Sequence, residues 1–315
     1  MSGDSRPPVI LLMGPTASGK TDLALALSKQ LPLDVVSVDS AMVYRGMDIG
    51  TAKPDAAFLR ECPHRLIDIC DPAEAYSAGR FLVDAQREVT EIHGAGRIPL
   101  LVGGTMLYFR ALQQGLATLP AADPVVRAEI DAEASRIGWP AMHKRLAQVD
   151  PVAAARVQPR DGQRIQRALE VYRLSAQSLS SLQAKAQAEL PSWRWIKLAL
   201  WPTDLQAQGE HIAARFRQML DAGLVAELEI LRQRPDIHSG LPSMRAVGYR
   251  QIWELLQGRC DLAEAERRAI IATRQLAKRQ RTWLRAEQDL CRLDTGHDAA
   301  GLALDYLRSA IDRIH

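Results

Sequence analysis

The sequence predicts an α/β fold in which a parallel sheet is flanked by helices and interrupted by an all-helical insertion. Apolar segments at residues 9–13, 33–39 and 98–102 have the length and composition of buried strands. From about residue 119 to residue 187 the strand patterns stop and helical patterns follow one another. An alternating segment at 194–202 then returns the chain to the sheet.

These changes of pattern predict three parts. Residues 1–118 form the first part of the α/β core, and residues 119–190 form the helical insertion. Residues 191–315 supply the remainder of the core and the C-terminal helices.

Composition limits the class of protein. The chain has 315 residues, of which 47% are hydrophobic and 24% charged, values typical of a globular protein. Its four cysteines form no closely spaced Cys/His set, so a zinc site is not expected. The N-terminus lacks a signal-peptide pattern, and no apolar run approaches the roughly 20 residues that span a bilayer. We therefore expect a cytoplasmic protein without membrane contact.

The first strand runs into a phosphate-binding motif. Residues 14–21 read GPTASGKT, which fits G-x-x-x-x-G-K-[ST], and an apolar helical pattern follows directly. In this order of strand, loop and helix, backbone N–H groups point at one anion, while Lys20 adds a positive charge and Thr21 a hydroxyl ligand for Mg²⁺. We therefore expect a core like that of the P-loop NTPases, holding a di- or triphosphate that belongs to a nucleotide or to another compound. The predicted phosphate-binding residues are Gly14, Pro15, Thr16, Ala17, Ser18, Gly19, Lys20 and Thr21.

Two polar residues follow other predicted strands. Asp39 ends the second strand, and Thr105 comes after Gly103 and Gly104 at the end of the third. Because ligands bind at the carboxyl ends of parallel strands, both side chains should face the P-loop. Asp39 could be a base, a helix cap or a water-mediated Mg²⁺ ligand, and Thr105 could present its hydroxyl or cap a helix. The two glycines would let the backbone approach a ligand closely.

Basic residues concentrate near the C-terminus although the net charge of the whole chain is only +3. The span 245–285 holds ten Lys or Arg residues against four Asp or Glu residues. This excess suits a nucleic-acid backbone, and a solvated helix face is the ordinary alternative.

Seven motifs follow one another along nearly the whole chain. They are GPTASGKT at 14–21, DSAMVYRGMDIGTAKP at 39–54, PHRLIDICDP at 63–72, YSAGRF at 76–81, GGTMLY at 103–108, RAVGYRQ at 245–251 and ATRQLAKRQRTWLR at 272–285. In this order they make the sequence resemble the tRNA dimethylallyltransferases, also called tRNA isopentenyltransferases. The sequence shows no zinc-finger extension like that of eukaryotic relatives, so we expect a member of the bacterial type.

The resemblance implies transfer of the dimethylallyl group of dimethylallyl diphosphate to N6 of adenosine 37 in tRNAs that read codons starting with U. The products would be N6-dimethylallyladenosine and diphosphate, with Mg²⁺ as cofactor, and the enzyme is expected to be a monomer. By family position Asp39 is the base, Thr105 reaches the bridging oxygen of the diphosphate, and Lys20 and Arg215 bind the diphosphate. Arg45 and Lys53 are weaker candidates for phosphate contacts.

The resemblance also implies contacts with the anticodon stem-loop of tRNA, with adenosine 37 extruded from its stack. The expected contact residues are Asp39, Ser40, Ala41, Met42, Thr105, Arg127, Gln163, Arg164, Ile165, Gln166, Arg167, Arg245, Ala246, Val247, Gly248, Tyr249, Arg250, Lys278, Arg279, Gln280, Arg281, Thr282, Trp283, Leu284 and Arg285.

Two other functions fit the same P-loop. In a small-molecule or nucleoside kinase the loop would hold ATP and Asp39 would activate an acceptor hydroxyl. In an RNA-binding module the loop would only sense a nucleotide. Incorporation of a labelled dimethylallyl group into RNA separates both from the transferase.

Overall fold

The computed structural model describes residues 5–116, 119–187, 190–295 and 298–312. The chain forms two compact units. The sheet unit joins the residues up to Phe109 with those from Ser192 onward, and the helical unit is Arg110–Pro191. The boundaries predicted at 118/119 and 190/191 adjoin residues outside the described part of the chain, so that division stays a prediction.

The sheet unit contains one six-stranded sheet in which every neighbouring pair is parallel. Its order is β3-β2-β4-β1-β5-β6. This confirms the predicted α/β class. The strands are β1 (Pro8–Met13), β2 (Leu33–Val38), β3 (His64–Arg65), β4 (Ile98–Gly103), β5 (Arg194–Trp201) and β6 (Leu290–Asp294).

The helices flank the sheet or build the helical unit, and many begin at a side-chain cap such as Ser77 or Asp261. In chain order they are α1 (Lys20–Ser28), α2 (Ala56–Glu61), α3 (Ala78–Gly94), α4 (Met106–Gln114), α5 (Pro124–Ile137), α6 (Trp139–Val149), α7 (Pro151–Arg156), α8 (Gly162–Ser175), α9 (Leu179–Gln187), α10 (Leu205–Asp221), α11 (Leu224–Arg232), α12 (Tyr249–Leu256), α13 (Leu262–Arg285) and α14 (Ala299–Asp312). No helix within the described residues is both long and apolar enough to cross a membrane.

Each unit has a hydrophobic core of its own. In the sheet unit, all five residues of 9–13 are fully buried, as an apolar central strand with neighbours on both sides requires. In the helical unit, Ile130, Met142, Leu146 and Ile165 are fully buried against one another. Ile165 was expected to contact tRNA, but the structure places its side chain in this core.

The register of the sheet aligns the loops that carry the predicted site. Gly103 at the end of β4 lies opposite Met13 at the end of β1 and opposite Val38 at the end of β2. The segments that follow these three strands therefore leave the sheet side by side, at the edge where α/β proteins bind ligands.

Candidate active site

A cavity of about 910 Å³ opens at this edge of the sheet unit. It is lined by the P-loop, by residues 39–42, by the Gly103–Gly104–Thr105 turn, and by side chains of α10 and α13. Lys20, Asp39, Thr105 and Arg215 all line it. The structure thus brings together the four side chains that sequence analysis assigned to catalysis.

The P-loop has the backbone conformation of an anion cradle. Ala17 (φ 59°) and Gly19 (φ 84°) are both left-handed, and α1 begins at Lys20 directly after them. The first N–H groups of α1 therefore point toward the cavity. Ser18 Oγ is buried without a hydrogen-bond partner among the described residues, and a phosphate oxygen would give it one. These features fit a bound diphosphate.

Two cations face the P-loop. Lys20 Nζ donates a hydrogen bond to the Pro15 carbonyl (2.7 Å), and Arg215 Nη2 donates to Thr16 Oγ1 (3.2 Å). Burial and the nearby Arg215 lower the pKa of Lys20 to about 7, although Asp39 acts in the opposite direction. Burial also lowers the pKa of Arg215, again against the effect of Asp39. The cavity is therefore short of negative charge, which a diphosphate would supply.

Asp39 and Thr105 organise the segments in which they lie. Asp39 Oδ1 accepts hydrogen bonds from the backbone N–H groups of Ala41 (2.8 Å) and Met42 (3.2 Å). Thr105 Oγ1 accepts from the Ser40 N–H (3.1 Å). Asp39 therefore closes a turn and caps no helix, since the next helix of the chain begins only at Ala56. The Thr105 hydroxyl joins the ends of β2 and β4.

Gly103 and Gly104 are explained by protein packing. A Cβ on Gly103 would overlap the carbonyl group of Val38 in the neighbouring strand. A Cβ on Gly104 would lie 2.5 Å from Gln280 Nε2. The structure shows close approach of β2 and α13 at these glycines. Both glycines also line the cavity, so the predicted close approach of a ligand stays a prediction.

Tyr249 was expected to contact RNA, but it is fully buried. Its hydroxyl donates to Glu227 Oε1 (2.5 Å). The same carboxylate accepts from the backbone N–H groups of Asp48 (2.8 Å), Ile49 (2.7 Å) and Gly50 (3.2 Å). We call these groups the Glu227 clamp. Since Gly50 and its successors line the cavity, the clamp shapes one cavity wall.

Lys53 and Arg45 were weaker candidates for phosphate contacts. The Lys53 side chain is 4% exposed, pairs with Asp48 and Asp68, and donates to the Tyr44 carbonyl. Its charge is thus neutralised within the protein. Arg45 Nη1 donates to the Asp68 carbonyl (3.4 Å). Both cations thus bind groups of the protein and stabilise the loop that follows Asp39.

Helix α13 has an inner and an outer side. Gln280 and Leu284 were both expected to contact RNA, but their side chains are buried within the protein. Lys278, Arg279, Thr282 and Arg285 are exposed, and Arg279 and Trp283 line the cavity. Of the other predicted residues, Arg245, Ala246 and Val247 line the cavity, Arg250 is exposed and Gly248 is buried.

In the helical unit, two predicted RNA contacts share a buried carboxylate. Arg127 Nε donates to Glu170 Oε1 (2.9 Å), and Arg167 Nη1 donates to Glu170 Oε2 (2.7 Å). Arg127 Nη2 also donates to Glu170 Oε2 (3.2 Å), and the Asp123 N–H donates to Oε1 (2.9 Å). Burial raises the pKa of Glu170, but these hydrogen bonds outweigh it, so the pKa lies below its usual value.

The remaining predicted contacts of α8 lie near its N-terminus. Gln163 and Arg164 are exposed, and Arg164 pairs with Asp161 (3.4 Å). Gln166 Nε2 donates to Asp131 Oδ1 (2.6 Å).

Two further residues, Glu227 and Gln208, support the site and were not predicted from the sequence. Gln208 Nε2 donates to the Thr16 carbonyl (3.1 Å) across 192 positions of sequence. Each lies on a helix without a recognisable motif, so the sequence held no signal for either.

The fold and the cavity define an α/β protein with a P-loop-like phosphate site. The chain belongs to the IPP transferase family, whose profile matches residues 42–287. A second profile, isopentenyl transferase, matches residues 7–68.

Relatives of known name support this assignment. A tRNA dimethylallyltransferase of Alkalilimnicola ehrlichii is 60% identical over 282 residues, which cover 90% of this chain and 89% of the relative. One from Burkholderia ambifaria is 55% identical over 316 residues, covering 99% and 98%.

Solved structures give the same result. The tRNA isopentenylpyrophosphate transferase of Bacillus halodurans has a TM-score of 0.73 at 33% identity, with 98% of each chain covered. A eukaryotic dimethylallyltransferase acting on tRNA has a TM-score of 0.75 at 24% identity, which shows likeness of fold; the match covers 97% of this chain and 78% of that one.

Proposed function

We propose that this chain transfers the dimethylallyl group of dimethylallyl diphosphate to N6 of adenosine 37 in tRNAs that read codons starting with U. One observation carries the proposal. This chain is a member of the IPP transferase family, and its P-loop shares one cavity with the cations Lys20 and Arg215. Asp39 and Thr105, which follow two neighbouring strands, line the same cavity.

The P-loop, Lys20 and Arg215 bind the diphosphate of the prenyl donor. As the C1–O bond breaks, its electron pair stays on the diphosphate, and fixed N–H donors and cations stabilise the growing negative charge. Ser18 Oγ gains a hydrogen-bond partner, and Thr105, which lines the same cavity, donates its hydroxyl to the bridging oxygen. Thr21, on the cavity wall at the start of α1, would hold Mg²⁺, which adds charge neutralisation when bound.

Asp39 acts as the base toward the adenine amine. The lone pair of N6 is delocalised into the ring, so the amine must lose a proton as its bond to C1 forms. Asp39 accepts that proton and later releases it to water. Asp39 follows the end of β2, and Thr105 follows the end of the neighbouring strand β4. The base and the group that binds the leaving oxygen therefore both act near C1, where the bond to N6 forms and the bond to oxygen breaks.

The RNA contacts lie on exposed basic residues of both units. In the sheet unit they are Arg245, Arg250, Lys278, Arg279 and Arg285, and in the helical unit Arg164 with Gln163. Phosphate contacts of this kind give affinity that falls with salt. A cavity of about 910 Å³ lies within the range of sites that enclose small organic ligands, which an extruded purine and a five-carbon diphosphate require. We place the enzyme in the cytoplasm as a monomer.

The test is incubation of unmodified tRNA with labelled dimethylallyl diphosphate and Mg²⁺, followed by nuclease digestion. We expect label in N6-dimethylallyladenosine, none in a transcript with guanosine at position 37, and loss of product when a chelator is added. Absence of label together with consumption of ATP would replace the transferase by a kinase.

A further inference from the structure

Thr16, at the top of the P-loop, is held through all three of its polar groups. Its N–H donates to Gln280 Oε1 (2.9 Å), its carbonyl accepts from Gln208 Nε2 (3.1 Å), and its hydroxyl accepts from Arg215 (3.2 Å). Three side chains from α10 and α13 thus fix a residue that a bare loop would leave mobile.

Gln280 connects this position to the other side of the cavity. Its Nε2 donates to the Gly104 carbonyl (2.9 Å), one residue before Thr105, while its Oε1 binds the Thr16 N–H. The side chain is buried, with 8% exposure, and Gly104 has no room for a Cβ beside it. One carboxamide therefore sets the spacing between the P-loop and the Thr105 turn.

The chemistry of the two contacts requires a carboxamide. The Thr16 N–H can only donate and the Gly104 carbonyl can only accept, so the group between them must do both. A glutamate would set a carboxylate against a carbonyl, and a methionine would leave both backbone groups without a partner.

Gln208 is oriented in a similar way. Arg281 Nη1 donates to Gln208 Oε1 (2.5 Å), which turns the amide nitrogen of Gln208 toward Thr16. Burial and Arg285 lower the pKa of Arg281, as expected of a guanidinium directed into the protein.

We infer that Gln280 is a positioning residue. Its carboxamide holds the P-loop, which binds the diphosphate leaving group, at a fixed distance from the Gly103–Gly104–Thr105 turn. The inference rests on the proposed function and gives Gln280 a role other than the RNA contact that its motif suggested. Because Ser40 bonds to Thr105, Asp39 is held to the same frame.

The test compares Gln280→Met with Gln275→Met, a control at an exposed position of the same helix. We would measure kcat, the KM for tRNA, and the affinity of inorganic diphosphate for each enzyme without RNA. Loss of the bridge should lower kcat by about 10- to 100-fold, because small misplacements of reacting groups have effects of this size. Diphosphate affinity should fall as well, and the KM for tRNA should stay within about twofold of wild type. The control should match wild type in all three.

A raised KM for tRNA with unchanged kcat and diphosphate affinity would make Gln280 an RNA contact and overturn the inference. If Gln280→Met does not fold, Gln280→Glu keeps the length of the side chain and replaces the amide donor to the Gly104 carbonyl by a carboxylate oxygen, and the same split between kcat and KM is expected. Normal turnover of that variant would overturn the inference. A wild-type enzyme that neither binds diphosphate nor modifies tRNA would refute the proposed function itself.

Discussion

Asp39 combines a structural and a proposed chemical role in one carboxylate. Its Oδ1 accepts the hydrogen bonds from the backbone N–H groups of Ala41 and Met42. An asparagine keeps an oxygen for these bonds and removes the negative charge, so Asp39→Asn separates the two roles.

We expect Asp39→Asn to lower kcat by about 100-fold or more, since the variant lacks a base, while tRNA affinity and thermal stability change little. Single-turnover rates and a melting curve measure the two effects. Asp39→Ala serves as the comparison, because it also loses the turn. Wild-type turnover in Asp39→Asn would remove this residue from the proton transfer.

Lys20 should titrate near neutral pH in the free enzyme. Burial and Arg215 lower its pKa to about 7, so the amine is charged below pH 7 and mostly neutral above it. Only the neutral amine is acylated, and the reactivity of Lys20, followed by mass spectrometry, should rise with a midpoint near pH 7. Inorganic diphosphate should move that midpoint upward, because its charge favours the ammonium form. If diphosphate does not change the midpoint, Lys20 does not belong to the anion site.

At this scale the sequence predicted the residues that follow strands or belong to a motif. Lys20, Asp39 and Thr105 could be placed because the carboxyl ends of parallel strands share one edge. Gln280 could not be understood, since its contact with Thr16 spans 264 positions and depends on how α13 packs.

Among the elements, α12 and the loop at 48–50 show how a motif residue can serve the fold. Tyr249→Phe removes the hydroxyl of the Glu227 clamp and keeps the ring. We expect a loss of about 1.5–3 kcal/mol in the free energy of unfolding, measured with urea, because the hydrogen bond has a carboxylate as its acceptor. Affinity for tRNA should be unchanged, whereas Arg250→Ala, at an exposed position, should weaken it. Weakened RNA binding by Tyr249→Phe at wild-type stability would contradict this assignment.

The outer side of α13 gives a prediction about salt. Lys278→Ala should weaken tRNA binding and reduce the slope of log K against log salt by about 0.7–0.9, the value for one phosphate contact. Arg281→Ala should instead lower kcat, since Arg281 orients Gln208. Filter binding at several salt concentrations checks the slopes, and an unchanged slope for Lys278→Ala would remove that residue from the RNA surface.

Elements were predictable in proportion to their burial. Strands β1, β2, β4 and β5 are largely buried, and each appears in the sequence as an apolar or alternating segment. Strand β6 was missed because only one of its five residues is buried, so it lacks the pattern of a core strand.

For the whole molecule, two cores predict that one unit can be destabilised without the other. Glu170→Gln leaves Arg127 and Arg167 without their shared carboxylate and should cost about 2–3 kcal/mol. Hydrogen exchange should become faster in the helical unit and stay unchanged in the strands of the sheet unit. Glu129→Gln, which alters an exposed acid on α5, should have an effect below about 0.5 kcal/mol.

The sign of the pH effect follows from the lowered pKa of Glu170. Its stabilisation is present above the pKa of an unfolded glutamate and disappears as the carboxylate takes up a proton at lower pH. The difference between wild type and Glu170→Gln should therefore shrink in acid. A constant difference would assign the effect to packing.

The sequence predicted the α/β class and an inserted helical segment, since both follow from hydrophobic pattern. The strand order β3-β2-β4-β1-β5-β6 was beyond it. Pairing of β1 with β4 and β5 joins segments far apart in the chain, and nothing local in an apolar strand identifies its neighbours.

The packing of Gly103 against Val38 has a consequence for how this enzyme can change. Any side chain at position 103 must widen the gap between β2 and β4, and Asp39 and Thr105 stand at the two rims of that gap. The distance between Asp39, the proposed proton acceptor, and Thr105, beside the leaving oxygen, thus depends on the lack of a side chain at Gly103. Gly103→Ala changes none of the proposed reacting side chains. It should still impair the reaction, because it moves Asp39 and Thr105 farther apart.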